Sequence, residues 1–342
     1  MYYNAKLNLS KGKDKVSKEI LRLTLNDKRR IDVVSVFYNS SDILLETIIS
    51  FANKNKSILY ITNEKEQRTD IRYFINEFSN MSGYVYSDVI DYGSRKDYIY
   101  ICNHNDALRL QGEFDLVIYN DISSFPQYNK EQIKKILLKM CKAEGIAIAY
   151  CVEDVFSLGN TIIFPLKDTN TPIIEPRIIT TRINLSMDIP LVVYEYLNWS
   201  IISNRKVVIF TPDAEKATAV FEYLSLLKER LSENIYLFIA GKSDDYIKLK
   251  FMSREKGIMV TNDFKESSVE FHSIDVIVYF ADDVKFNHKQ LLCLSSKVGR
   301  YESEDRGEAI FLANAETDEM DEAKSIARKF NEKAWERGLL NI

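Results

Sequence analysis

The chain has 342 residues, 46% of them hydrophobic and 28% charged, with a formal net charge of −4. That balance excludes wholesale disorder and leaves room for roughly two domains on the usual prior of about 150 residues each. No run approaches the roughly eighteen apolar residues of a membrane span, and the N-terminus lacks an apolar signal core, so a cytosolic chain is expected.

Residues 1–30 hold nine Lys and Arg against Asp14, Glu19 and Asp27, a local charge of +6 that leaves −10 on the remainder of the −4 total. This basic segment reads as a solvated helix with a charged face or as an arm that contacts nucleic acid. Strand-length apolar runs follow at 32–37, 57–62, 98–102, 114–119 and 146–152, separated by helix-length periodic stretches at 41–53, 64–78 and 130–142. In the last of these, Ile133, Ile136, Leu137 and Met140 share one face. Four of the six prolines then fall between Pro165 and Pro190, where helical periodicity is lost, and this marks a linker. The alternation resumes with strands at 207–211, 235–240, 258–261, 276–280 and 308–313 and helices at 214–227, 244–253 and 289–295. A closing helix at 318–337 begins on Asp318, Glu319, Asp321 and Glu322, in keeping with the helix dipole. The expected fold is therefore α/β, as two doubly wound, mostly parallel sheets: a first domain at 31–164, a linker at 165–190 and a second domain at 191–342.

The join between the first strand and the first helix carries the sharpest signal. Ser41-Asp42 offers an N-cap to a repeat of Ile43, Leu44, Thr47, Ile48 and Phe51, so strand runs into helix where a phosphate-binding loop would lie. Such a loop needs glycines to bring backbone N–H groups onto phosphate and a lysine to reach its outer oxygens. Between Val36 and Asp42 there is neither, and glycine is scarce throughout, at 11 residues. Cys102, Cys141, Cys151 and Cys293 lie far apart in apolar runs and read as buried free thiols. With His104, His272 and His288 they form no ligand spacing, so no metal site is expected.

Several segments in one order resemble ComFA, the late-competence helicase-like ATPase of Gram-positive bacteria, a superfamily 2 protein. Phe114-Asp115-Leu116-Val117-Ile118-Tyr119-Asn120-Asp121 is similar to that family's F-D-L-L-I-I-D-E, and Val208-Ile209-Phe210-Thr211-Pro212 to its V-L-I-F-x-P. Gly257-Ile258-Met259-Val260-Thr261-Asn262 resembles I-L-V-T-T-T, and Lys297-Val298-Gly299-Arg300 resembles the end of Q-I-A-G-R-V-G-R. Ile189-Pro190 with Trp199 resembles a preceding L-P-x-P…W stretch.

The resemblance implies two tandem RecA-like domains and allows the family's site to be placed residue by residue. Its G-A-G-K-T falls on Phe37-Tyr38-Asn39-Ser40-Ser41, so Ser40 stands at the lysine position and Ser41 keeps a hydroxyl for magnesium. The D-E pair becomes Asn120-Asp121, the sensor arginine becomes Lys297, and Arg300 alone matches the arginine finger. Asp121 and Arg300 are thus vestigial catalytic positions, and Ser40, Ser41, Lys297 and Arg300 vestigial nucleotide-binding ones. Phosphoryl transfer rests on positioning and electrostatic stabilisation, and loss of one donor commonly costs about a hundredfold or more in rate. The family's zinc module and adenine-reading glutamine have no counterpart in this sequence. Its handling of single-stranded DNA implies backbone contacts at Asn63, Arg68, Thr211, Lys242, Thr261 and Asn262.

The leading expectation is a helicase-like pseudo-ATPase that binds single-stranded DNA, or competence and DNA-processing proteins, without a cofactor. The implied place is the cytoplasm, peripherally at the inner face of the membrane. An active translocase using ATP and magnesium through an atypical loop, a scaffold that binds partners but not DNA, and an unrelated doubly wound enzyme remain as alternatives.

Overall fold

A computed structural model describes residues 11–65, 69–78, 84–86, 99–167, 171–264, 271, 273–299 and 307–340. The chain divides into two compact units, Met1–Asp168 and Thr169–Ile342.

In the first unit the order is α1 (Lys11–Leu25), β1 (Arg30–Ser35), a 3-10 turn (Ser41–Leu44) continuing into α2 (Leu45–Ala52), β2 (Ile58–Thr62), α3 (Asp70–Phe78) and β3 (Tyr84–Tyr86). It continues with β4 (Ile99–Cys102), α4 (His104–Arg109), β5 (Phe114–Asn120), α5 (Lys130–Met140), β6 (Cys141–Cys151) and β7 (Thr161–Phe164). The strands form one parallel sheet in the order β3-β4-β2-β5-β6-β1-β7. A parallel sheet buries both faces, which is why β2 and most of β5 are unbroken apolar runs with no period-2 alternation. The α5 helix starts on a capping box, with Asn129 and Gln132 each accepting the other's backbone N–H.

β6 begins five residues before the expected 146, directly from α5, and a register shift between Phe114 and Leu116 absorbs the extra chain. Gly145 makes this possible: a Cβ there would lie 2.8 Å from the Cys141 sulfur and 2.8 Å from the Phe114 carbonyl oxygen. The basic N-terminal segment, from residue 11 on, is a docked helix. Val16 and Ile20 are buried, Lys13 pairs with Asp42 at 3.0 Å and Ser17 donates to Glu46 at 3.1 Å. Lys18, Arg22 and Arg29 pair with Asp14, Glu19 and Glu144, so much of the expected basic face is neutralised by the protein itself.

The second unit runs β8 (Arg177–Thr180), α6 (Leu191–Ile202), β9 (Lys206–Phe210), α7 (Ala214–Leu226), β10 (Ile235–Phe238) and α8 (Tyr246–Met252). It ends with β11 (Gly257–Thr261), β12 (Ile274–Tyr279), α9 (His288–Ser295), β13 (Ala309–Ala313) and α10 (Asp318–Glu336). Its sheet is also parallel, ordered β10-β11-β9-β12-β13-β8. Part of the proline-rich stretch is therefore sheet. Prolines suppress a helix but tolerate an edge strand, and Pro176 immediately precedes β8. The same stretch is tied down further by Ile173, whose N–H and carbonyl bond the side chain of Asn331 on α10 at 2.8 and 2.9 Å. On α10, Phe330 and Ala334 are buried, whereas Trp335 is exposed.

The four cysteines are free and buried, and burial pushes the Cys102 thiol up to about 12. Among the described residues, no helix is long and apolar enough to cross a membrane.

Candidate functional site

In the first unit β1 ends at Ser35 and the chain must turn to enter the helix at Ser41. Tyr38 takes a left-handed backbone, with φ of 67°, the conformation that glycine would adopt without strain. Around it the loop is held by its own polar groups. The Asn39 amide donates to Ser35 Oγ at 2.9 Å and to the Leu166 carbonyl at 2.7 Å, and the Ser40 side chain caps the Asp42 N–H. Tyr150 donates to the Ser40 carbonyl at 3.1 Å.

Ser41, the first residue of the helical turn, gives its backbone N–H to Asp70 Oδ2 at 2.7 Å and its hydroxyl to Asp70 Oδ1. These are the two groups that, in a phosphate loop, would face a phosphate oxygen and magnesium. Here a carboxylate from the start of α3 occupies them. Burial raises the Asp70 carboxyl above the ordinary range, against the lowering effect of the Ser41 donors.

Asn120, at the end of β5, is fully buried. Its Nδ2 donates to the Tyr60 hydroxyl at 2.8 Å and to Ser123 Oγ at 2.7 Å, while its Oδ1 accepts the N–H groups of Ile122 and Ser123. The amide both donates and accepts, so it closes the turn on itself and leaves no free carboxylate at the position where one would hold a metal. Asp121 is also fully buried, and its N–H bonds the Tyr150 carbonyl at 2.9 Å. Tyr60 lies between these groups. Burial, with Asp70 and Glu64 nearby, pushes its hydroxyl well above the ordinary range and keeps it protonated.

At the other side of this edge, Asn63 Oδ1 faces the His104 N–H at 3.5 Å. The imidazole Nδ1 lies 3.0 Å from the Tyr119 hydroxyl, and the ring stacks on Tyr128 with centroids 3.6 Å apart. Burial lowers the His104 pKa, so the ring is neutral at pH 7. Sequence reasoning passed over Asp70, Tyr60 and the His104–Tyr128 stack; no motif spacing marks them. Arg68 lies outside the described residues.

In the second unit, four expected positions converge at the C-terminal edge of β9, β11 and β10. Thr211 N–H bonds the Thr261 carbonyl at 2.9 Å, and both side chains are fully buried. Thr211 Oγ1 donates to the Asp213 carbonyl at 3.2 Å, and Thr261 Oγ1 accepts the Asp263 N–H at 2.9 Å. Asn262 Oδ1 accepts the Ala240 N–H at 2.9 Å, fastening the loop that carries exposed Lys242 next to Gly241, whose φ is 74°. Behind them, Lys248 is buried against Asp263 at 2.6 Å and over the Phe238 ring at 3.7 Å. Of the four, Lys242 and half-buried Asn262 are the ones a solute can reach. The start of α7 is clamped: Asp213 pairs with Lys285 at 2.8 Å and Lys216 with Asp283 at 2.5 Å. Lys297, past α9, is buried, and Arg300 lies outside the described residues. No group of His, Cys, Asp and Glu among the described residues could hold a metal ion.

Solved helicase structures share this architecture. The DUF1998 helicase MrfA bound to DNA matches with a TM-score of 0.52 at 10% identity, over 95% of this chain and 51% of that one. The E. coli DExH-box NTPase HrpB matches at 0.56 and 12%, over 94% and 43% of the two chains. S. cerevisiae Dbp5 bound to RNA and ADP BeF3 matches at 0.51 and 9%, over 97% and 96%. The chain thus spans about half the length of MrfA and less than half of HrpB. No protein-family model matches it, and no curated protein matches it in sequence. What it shares with them at these identities is the fold alone, two RecA-like parallel α/β units.

Proposed function

We propose that this chain is a helicase-like pseudo-ATPase, retained for binding single-stranded nucleic acid or a DNA-processing partner in DNA uptake. The observation that carries this reading is the Ser41–Asp70 contact. A phosphate arriving at the loop meets an N–H and a hydroxyl already given to a carboxylate, and that carboxylate repels it. Ser40 at the lysine position supplies no opposing charge, and Asn120 supplies no metal-binding carboxylate. Nucleic-acid contact is assigned to the strand ends of the second unit, with Lys242 and Asn262 as the reachable groups. That MrfA and Dbp5 were solved on DNA and RNA supports this assignment.

Titration calorimetry with ATP and magnesium tests the first half. Binding no tighter than millimolar is expected, and a micromolar constant, about −8 kcal/mol, overturns it. Anisotropy of a labelled single-stranded oligonucleotide tests the second: weak binding that is independent of sequence and lost with salt is expected, whereas no binding at low salt favours the scaffold alternative.

A further inference from the structure

Helix α8 (Tyr246–Met252) and the turns on either side of it carry a pattern that the strand-end contacts do not use. Lys242, Tyr246, Lys250 and Arg254 recur at every fourth residue, and all four are exposed. On α8 itself residues 246, 249 and 250 fall within one arc of about 100°. The Tyr246 ring, 66% exposed, therefore shares a face with Leu249 and lies one turn, about 6 Å along the axis, from Lys250. The backbone that presents them is fixed. Ser243 Oγ accepts the Ile239 N–H at 2.9 Å and Asn262 accepts the Ala240 N–H, while Phe251 and Lys248 anchor the other side of α8 in the unit.

The three cations of this strip are uncommitted. Among the described residues no carboxylate pairs with Lys242, Lys250 or Arg254, and Lys250 lies instead over the Tyr236 ring at 5.8 Å. At the start of α7, by contrast, Lys216 and Lys285 are both paired. The acids inside the strip are engaged: Asp244 Oδ1 accepts the Tyr246 N–H at 2.8 Å, and Asp245 lies 3.6 Å from Lys248. Residues 242–256 hold five Lys and Arg against three Asp and Glu, a local charge of +2 in a chain of −4.

Free cations on both sides of an exposed ring fit a polyanion that carries planar faces between its charges. A lipid surface offers anions without planar groups. A single strand offers a phosphate and an unpaired base at every nucleotide, and any base can stack on an aromatic side chain. In a duplex the base faces already stack on one another.

We infer that α8 is a stacking platform for single-stranded nucleic acid, on which an unpaired base rests against the Tyr246 ring while Lys242, Lys250 and Arg254 meet the flanking phosphates. This rests on the nucleic-acid reading above and adds to it the residue that separates a single strand from a duplex.

The test is anisotropy of labelled oligothymidylate, and of a duplex of equal length, titrated with the full chain at several salt concentrations. Tyr246→Ala should weaken single-strand binding about five- to a hundredfold, the range for one lost base stack, with the salt slope and duplex binding unchanged. Tyr246→Phe keeps the ring and should bind as wild type does. Lys250→Ala should lower the magnitude of the salt slope by about 0.7, one phosphate contact. All these positions lie on the surface, so circular-dichroism melts should match wild type. If wild type binds the single strand and Tyr246→Ala binds it equally well, the inference falls and the nucleic-acid reading stands. Equal losses in Tyr246→Ala and Tyr246→Phe, or equal weakening of single strand and duplex by Tyr246→Ala, also overturn it. No wild-type binding to the single strand at low salt overturns both.

Discussion

The strand-end loops of the two units use similar donors to different ends. In the first, the loop after β1 is closed on itself: Ser41 gives both donors to Asp70, Asn39 reaches Leu166, and Asn120 closes the turn after β5. In the second, Thr211 and Thr261 lock adjacent strands together, while Asn262 holds the neighbouring loop by the Ala240 N–H and Lys242 stays in solvent. The contrast teaches that a doubly wound sheet persists when loop chemistry changes. Its stability comes from strands buried on both faces, whereas each loop needs only some partner for its backbone donors, and an internal carboxylate serves as well as an external anion.

The largest expected effect lies at the strand starts, where the two units agree. Asp275 on β12 takes a bidentate contact from Arg205 at 2.8 and 2.7 Å and the Glu308 N–H at 2.9 Å, and it is nearly inaccessible. Arg205→Ala should cost about 3 to 5 kcal/mol in urea unfolding, because it leaves a buried charge unpaired. Asp115 on β5 has the parallel role with Ser57, Lys56 and Lys142. Burial opposes its ionised form, but Lys142 and the Ser57 donors hold its pKa well below the ordinary carboxylate range. Its contribution is complete above about pH 4 and fades as pH falls through that lowered value, so Asp115→Asn should lose stability relative to wild type at pH 7 and converge with it in strong acid. Because both lysine partners, Lys56 and Lys142, are about half exposed to solvent, the loss should be smaller than for Arg205→Ala.

Asp70→Ala should cost about 1 to 3 kcal/mol, since Ser41 is left with an unmet buried donor. Its pH signature is opposite to that of Asp115. The carboxyl is raised in the folded state, so wild type should gain stability over Asp70→Ala as pH falls through the raised pKa towards the ordinary value. A pH-independent difference would contradict the burial of this group. The same variant sharpens the comparison of the loops: grafting Gly-Ala-Gly-Lys-Thr over residues 37–41 should give measurable ATP binding only when Asp70 is also removed.

Two smaller effects complete the contrast. Tyr38→Gly should stabilise the chain by up to about 1 kcal/mol, because the left-handed backbone at φ 67° strains any side chain. Clear destabilisation would mean that the tyrosine side chain outweighs the strain. Lys242→Ala should lower the magnitude of the salt slope of single-strand binding by about 0.7, one phosphate contact, and leave folding unchanged. An unaltered slope would remove Lys242 from the interface.

Ten of the thirteen described strands, the parallel α/β order and the starts of α5 and α10 follow from the sequence by itself, whereas β3 and β7 were not expected from it. Buried strands write their burial as continuous apolar runs, and capping residues act within four positions of their targets. The lack of glycine and lysine after β1 was equally legible. Three features were decided only in three dimensions. Asp70 reads locally as the acidic first turn of a helix, and its role depends on Ser41, 29 residues away, which no local pattern encodes. β8 is held by its pairing with β13, far along the chain, whereas the prolines around it gave the stretch the appearance of a linker. α6 has no amphipathic period, because its inward face is apolar and its outward face is too; only packing separates the half that meets the core from the half left in solvent.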